Sequence, residues 1–199
     1  LQVSQTAPLT GNTLEIRVIA VNSSSNEYYW IDNIIVTGSD SLYCTSLGTV
    51  DEYDTAITLV NFGAINNATG QGSGYDDFTD QSTSIVRGES QDLTININTA
   101  GDWSVYSYVW IDWNRDGDFD DANETYDLGF TDDETDGTTS NSALTITATI
   151  DAEVGNTRMR VVCDWSEAGP IFNGPCDGST DGEVEDYTVT ILPEFTYTY

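Results

Sequence analysis

Apolar and polar residues alternate along most of this chain with a period of two. In QDLTININ, for example, Leu93, Ile95 and Ile97 share one side, while Asp92, Thr94, Asn96 and Asn98 share the other. Successive strand residues point to opposite faces, so this pattern predicts strands with one buried side. The same reading predicts strands near Thr13–Val21, Tyr28–Thr37, Thr55–Phe62, Gln91–Asn98, Tyr106–Trp113, Thr125–Phe130, Ala143–Ile150, Thr157–Trp165 and Val184–Leu192. A helical period is nearly absent. The stretches GSGYDDFTDQ, TDDETDGTTSNS and SEAGPIFNGPCDGSTDG read as turns and loops, rich in Gly, Asp, Asn and Ser. Many short strands at this spacing predict an all-β, antiparallel β-sandwich.

Two terminal segments stand outside that scheme. Residues 1–41 contain TLEIRVIAVNSSSNEYYWIDNIIVTGS, two strands around a polar turn, which cannot bury a core of their own. They resemble the closing hairpin of a jelly-roll module, so a partial β module is expected at 1–41, completed by an upstream domain or by a partner. The sandwich is expected over 42–193. Residues 194–199 form a β-prone tail, EFTYTY, with Phe195, Tyr197 and Tyr199 on one face. Such a tail suits pairing with a neighbouring module or another copy of the chain. There is neither an initiator Met nor a signal peptide, as expected of a mature or excised piece.

Charge narrows the function. The 199 residues carry a net charge of −29, with 34 acids against five basic residues, all arginine, and no histidine. Phosphate backbones are gripped by clustered basic side chains, so nucleic acid is not an expected partner. No apolar run is long enough for a membrane-spanning helix, and membrane insertion is not expected. Without His or Lys, a Ser–His–Asp or Cys–His nucleophile, a Schiff base and a His-ligated catalytic zinc are all ruled out. A carboxylate pair for glycoside hydrolysis remains chemically open, but abundant acids do not make a site. The chain reads as a non-enzyme.

The acids are densest in WIDWNRDGDFDDANE, Trp110–Glu124. Asp112, Asn114, Asp116 and Asp118 recur at every second position, and Gly117 stands sixth, as in the first half of the calcium loop D-x-[DN]-x-[DN]-G. Oxygen ligands so spaced converge when the loop curls. The twelfth position is Asn123, so the closing carboxylate falls to Asp121 or Glu124. The flanks read as strands, which places the loop on a β-hairpin. Ca²⁺ is the expected ion, because every candidate ligand is a hard oxygen and neither His nor thiolate is at hand. Looser candidates for a second cation site are Asp186 and the acids Asp76, Asp77 and Asp80. The three cysteines, Cys44, Cys163 and Cys176, allow three pairings, including a local Cys163–Cys176 link.

Five motifs follow in order: YCTS (Tyr43–Ser46), GYDDFT (Gly74–Thr79), the acidic loop, TRMRV (Thr157–Val161) and GEVEDY (Gly182–Tyr187). Together, over about Tyr43–Leu192, they resemble the GEVED domain, a β-sandwich module of secreted proteins of Bacteroidota. The resemblance implies an accessory module of large extracellular adhesins and proteases, and no catalytic role. It also implies a disulfide between Cys44 and Cys176, with Cys163 left as a buried thiol. In the two signature strands, Arg158 and Arg160 share a face, as do Glu183 and Glu185. Antiparallel pairing with exposed Arg–Glu contacts would set the register, each contact being worth about 0.2–1 kcal/mol.

These readings lead to one expectation: a secreted or cell-surface, calcium-stabilised structural or adhesive module of a larger protein or fibre. Its partners would be copies of itself or adjacent β-modules. The alternatives are an accessory domain of a secreted protease or glycosidase, or a carbohydrate-binding module. For the last, Trp165 beside SEAGPIFNGP is the aromatic candidate, and glycans would be the partners.

Overall fold

A computed structural model describes residues 43–49, 55–165, 174–177 and 181–194. The chain divides between Leu42 and Tyr43 into two units, and all the described residues belong to the second. The hairpin expected within 1–41, the tail from Phe195 and most of SEAGPIFNGP lie outside the described residues.

Ten strands follow one another, with no helix among the described residues: β1 Ala56–Phe62, β2 Ile65–Ala68, β3 Tyr75–Val86, β4 Ser90–Asn98, β5 Ser104–Ile111, β6 Thr125–Asp132, β7 Gly137–Thr138, β8 Leu144–Thr147, β9 Gly155–Trp165 and β10 Gly182–Leu192. The seven strands expected between Thr55 and Leu192 are all present, with ends displaced by a few residues. One sheet runs β2-β1-β4-β7, with β8 also on β4; the other runs β3-β10-β9-β5-β6. Together they make the expected sandwich.

Two expectations are corrected. GSGYDDFTDQ is not a linker, since most of it lies in the twelve-residue β3. Moreover β3 pairs with β10 in parallel, so the second sheet is mixed rather than purely antiparallel. Tyr187 pairs with Phe78 and Thr188 with Ser82, so the residues between Phe78 and Ser82 are looped out of the ladder. As an edge strand with one interrupted ladder, β3 buries few side chains, and strict alternation has nothing to enforce it.

The core lies between the inward faces. Val60 and Phe62 of β1 and Leu93, Ile95 and Ile97 of β4 meet Val105 and Val109 of β5, Met159 and Val161 of β9, and Val189 and Ile191 of β10. Each fully buried side chain of this kind contributes about 1.5–3 kcal/mol relative to exposure. Trp113 joins this core. Trp110, three positions earlier, faces the opposite way into a second cluster with Phe119, Val162 and Val184, bordered by Tyr43, Tyr75 and Tyr108. The outer face of the second sheet is therefore covered at one end, by residues around Tyr43 and by the acidic loop between β5 and β6.

Candidate metal centre

The loop from Asp112 to Glu124 joins β5 to β6, and its curl is written into the sequence. The Asn114 side chain accepts the Asp116 amide at 3.1 Å, Asp116 accepts the Asp118 amide at 3.2 Å, and Asp118 accepts the Asp120 amide at 3.0 Å. Each acid or amide thus caps the backbone two residues on, a local preference of Asx side chains. Gly117 takes φ 94°, the left-handed region that glycine adopts without a Cβ penalty. Three such turns in succession bring one carboxylate oxygen each of Asp116, Asp118 and Asp121 within 4.8 Å of one another, all exposed. Asn114 Nδ2 donates to both Asp116 (3.0 Å) and Asp121 (2.6 Å). Among the described residues, no other group of acids converges in this way.

Two further carboxylates lie beneath, in the protein. Asp112 is wholly buried. It accepts the Arg115 amide at 2.5 Å, the Gly117 amide at 3.2 Å and the Tyr43 hydroxyl at 2.6 Å. Burial still pushes its carboxyl up, helped by the charge of Asp116. Glu124 is 1% exposed; its Oε1 accepts the Trp113 amide at 2.8 Å, whereas its buried Oε2 has no hydrogen-bond partner. Burial pushes this carboxyl up to about 7, against the pull of backbone amides in the loop. The loop's only cation is directed elsewhere, for Arg115 donates to the carbonyls of Val154 and Asn156, both at 2.8 Å.

The fit to a hard divalent cation is good. The candidate ligand atoms are all oxygen, one buried carboxylate oxygen is orphaned, and among the described residues no cationic side chain answers the cluster. Of the six residues singled out in the sequence, Asn114, Asp116, Asp118 and Asp121 meet at the surface. Asp112 and Glu124 support them from within. Tyr43, which fixes Asp112, belongs to the YCTS motif, but nothing in the sequence ties it to Asp112, which lies 69 residues away.

The looser candidates fare differently. Asp186 is fully buried and already accepts Arg158 Nη1 at 2.6 Å, Arg160 Nε at 2.7 Å, Arg160 Nη2 at 2.8 Å and the Tyr75 hydroxyl at 2.9 Å. Asp76 lies beside Glu183, and Asp77 caps the Thr79 amide at 2.9 Å.

The signature strands β9 and β10 do pair antiparallel, but the expected Arg–Glu contacts are corrected. Asp186 stands opposite Arg160 and Thr188 opposite Arg158, while Glu183 and Glu185 face Cys163 and Val161. Odd and even positions occupy opposite faces, so both arginines bind Asp186 on the outer face and the glutamates turn inward. Nor are the pairs exposed: the side chains of Arg160 and Asp186 are 2% and 0% accessible. Arg160 Nη1 also donates to the carbonyls of Pro175 (2.7 Å) and Cys44 (3.0 Å). The Cys44–Cys176 disulfide closes beside it, as the resemblance implied, and Cys163 is a buried thiol.

Glu183 and Glu185 tie β10 to the first sheet. Glu183 accepts the amides of Ile57 (2.9 Å) and Gly72 (2.8 Å), and Glu185 accepts the hydroxyls of Thr69 (2.8 Å) and Tyr187 (2.7 Å). Burial pushes these carboxyls up to about 8 and about 7 respectively. Both values lie above those of the unfolded chain, so the folded state binds more protons between about pH 4.5 and pH 8. The stability these two groups contribute is therefore fully present below about pH 4.5 and is lost as pH rises through that window. In EDTA, the unfolding free energy is expected to fall by several kcal/mol from pH 5 to pH 8, at about 1.4 kcal/mol for each pH unit by which a carboxyl is raised. Urea denaturation at the two pH values checks this, and the E183Q/E185Q variant should show a flatter dependence.

Residues 106–190 match the family model of the GEVED domain, a span that takes in the acidic loop and both signature strands. No curated protein matches the chain.

Proposed function

We propose that this chain, with its GEVED domain, is a calcium-stabilised structural or adhesive module of a secreted or cell-surface protein or fibre. The observation that carries this reading is the acidic loop: three converging exposed carboxylates, a buried glutamate with an orphaned oxygen, and, among the described residues, no basic side chain paired with them. Bound Ca²⁺ would be held by Asp112, Asn114, Asp116, Asp118, Asp121 and Glu124. It would supply charge neutralisation and fix the loop, with no chemistry on a substrate. A disulfide across 132 residues of separation suits an oxidising, extracellular setting. The absence of His and Lys supports a non-catalytic role, either on its own or as an accessory domain beside a protease or glycosidase. Pairing of its ends with other copies or adjacent β-modules is the assembly this reading favours.

A glycan-binding module is the second reading. Trp103 is 41% exposed and packs edge-on against Trp165 at 5.5 Å, and Phe130, 43% exposed, lies 5.7 Å from Tyr106. Retention on a glycan panel would favour it.

The deciding experiment is thermal unfolding in EDTA and across a calcium titration, with Asp116→Ala alongside. A ligand at a hundred times its Kd stabilises by about 2.7 kcal/mol, or roughly 5–10 °C for a chain of this size. The parent midpoint is expected to rise by that much, and the variant midpoint to stay level. A parent midpoint indifferent to calcium would mean that the acids are solvated surface.

A further inference from the structure

We propose that a cation in the acidic loop also clamps Tyr43, and so fastens the point at which the preceding 42 residues join the sandwich. This inference rests on the calcium reading above and adds a conformational role for that site.

Tyr43 is held from three sides. Its hydroxyl donates to Asp112 Oδ2 at 2.6 Å and accepts the Arg158 amide at 3.3 Å. Its ring stacks on Phe119, with centroids 5.1 Å apart and planes at 29°. The Arg158 guanidinium lies 4.9 Å from the ring centroid. Two of these holds belong to the acidic loop. Asp112 is its first candidate ligand. Phe119, between Asp118 and Asp120, is 2% exposed and packs in the cluster beside Tyr43, whereas the loop's Trp113 turns into the main core. An ordered loop presents both groups to Tyr43, and a loop splayed by repulsion among its acids would present neither.

The residues that follow are fastened by other means. Cys44 is held by its disulfide and by Arg160, the Leu47 amide by the Asp177 carbonyl at 3.0 Å, and the Gly48 amide by the Gly74 carbonyl at 2.9 Å. The loop's influence therefore falls on Tyr43 itself. Coupling of this kind is reciprocal: if calcium stabilises the Tyr43 contact, that contact must strengthen calcium binding by the same factor. A purely structural anchor would obey no such rule.

The test reads both sides of the linkage on the intact chain with its disulfide formed. Cleavage by chymotrypsin after residue 43 is followed by mass spectrometry in EDTA and in saturating calcium, and calcium affinity is measured by calorimetry. Tyr43→Phe keeps the cleavable ring and the stack but loses the hydroxyl, while Phe119→Leu loosens the stack and leaves every candidate ligand in place. Calcium is expected to slow cleavage after residue 43 about five- to tenfold in the parent and less than twofold in either variant, and each variant should bind calcium more weakly by a similar factor. If the parent binds calcium but is cut after residue 43 at the same rate with and without it, the clamp is wrong and the calcium reading stands. Unchanged calcium affinity in both variants would overturn the clamp as well. If the parent binds no calcium, both readings fall.

Discussion

Replacing Arg160 with methionine is expected to lower the unfolding free energy by about 3–5 kcal/mol, the usual loss when one partner of a buried ion pair is removed. The reason lies in what the guanidinium leaves behind. Two of its nitrogens neutralise Asp186 at 2.7 and 2.8 Å, and a third satisfies the carbonyls of Pro175 and Cys44. Methionine fills much of the volume but answers none of these groups, and Asp186 stays fully buried. Arg158 still reaches Asp186, which keeps the loss from being larger. The Arg158 side chain is 15% exposed and makes a single contact with Asp186, so Arg158→Met should cost clearly less. Urea denaturation of the two variants with the disulfide intact checks the ordering. A loss under 1 kcal/mol for R160M would mean that the pair is solvated, as the sequence alone suggests.

That contrast shows where the sequence was legible. Strands with strict alternation and two apolar neighbours, such as Leu93–Ile95–Ile97, could be placed to within a few residues because burial of one face enforces the pattern. The acidic loop was legible for a similar local reason: side chains at Asn114, Asp116 and Asp118 each bond the backbone two residues on, so spacing determines geometry. The signature strands were legible as a pair, but not in which residues face each other. Arg160 meets Asp186 rather than Glu185 through a one-residue difference in register, and register depends on the whole sheet. A clue was present in Met159, Val161 and Cys163. If they line the core, Arg158 and Arg160 must face away from it, and the residues across from them in β10 are even-numbered. Nothing local indicated that Tyr43, Phe119 and Pro175 would cover that outer face and turn surface charges into buried ones. The parallel edge strand β3 was hidden for the same reason, since its partner β10 lies about a hundred positions along the chain.

Loss of the Cys44–Cys176 disulfide is expected to cost up to about 5 kcal/mol, because the bridge removes closure entropy from an unfolded loop of more than a hundred residues. A C44A/C176A variant compared with the parent by urea denaturation checks the size. Its interaction with Arg160 is the sharper consequence. Arg160 Nη1 bonds Cys44 and Pro175, the residue beside Cys176, so the arginine and the disulfide hold the same two segments together. With the bridge gone, those segments can leave the arginine, water can reach Asp186, and the guanidinium has less to protect. Arg160→Met should then cost noticeably less in the C44A/C176A background than in the parent, with a coupling of about 1–2 kcal/mol between neighbouring constraints. Strict additivity would show that the two clamps act on separate parts of the fold, and that the buried network stands without the covalent bond beside it.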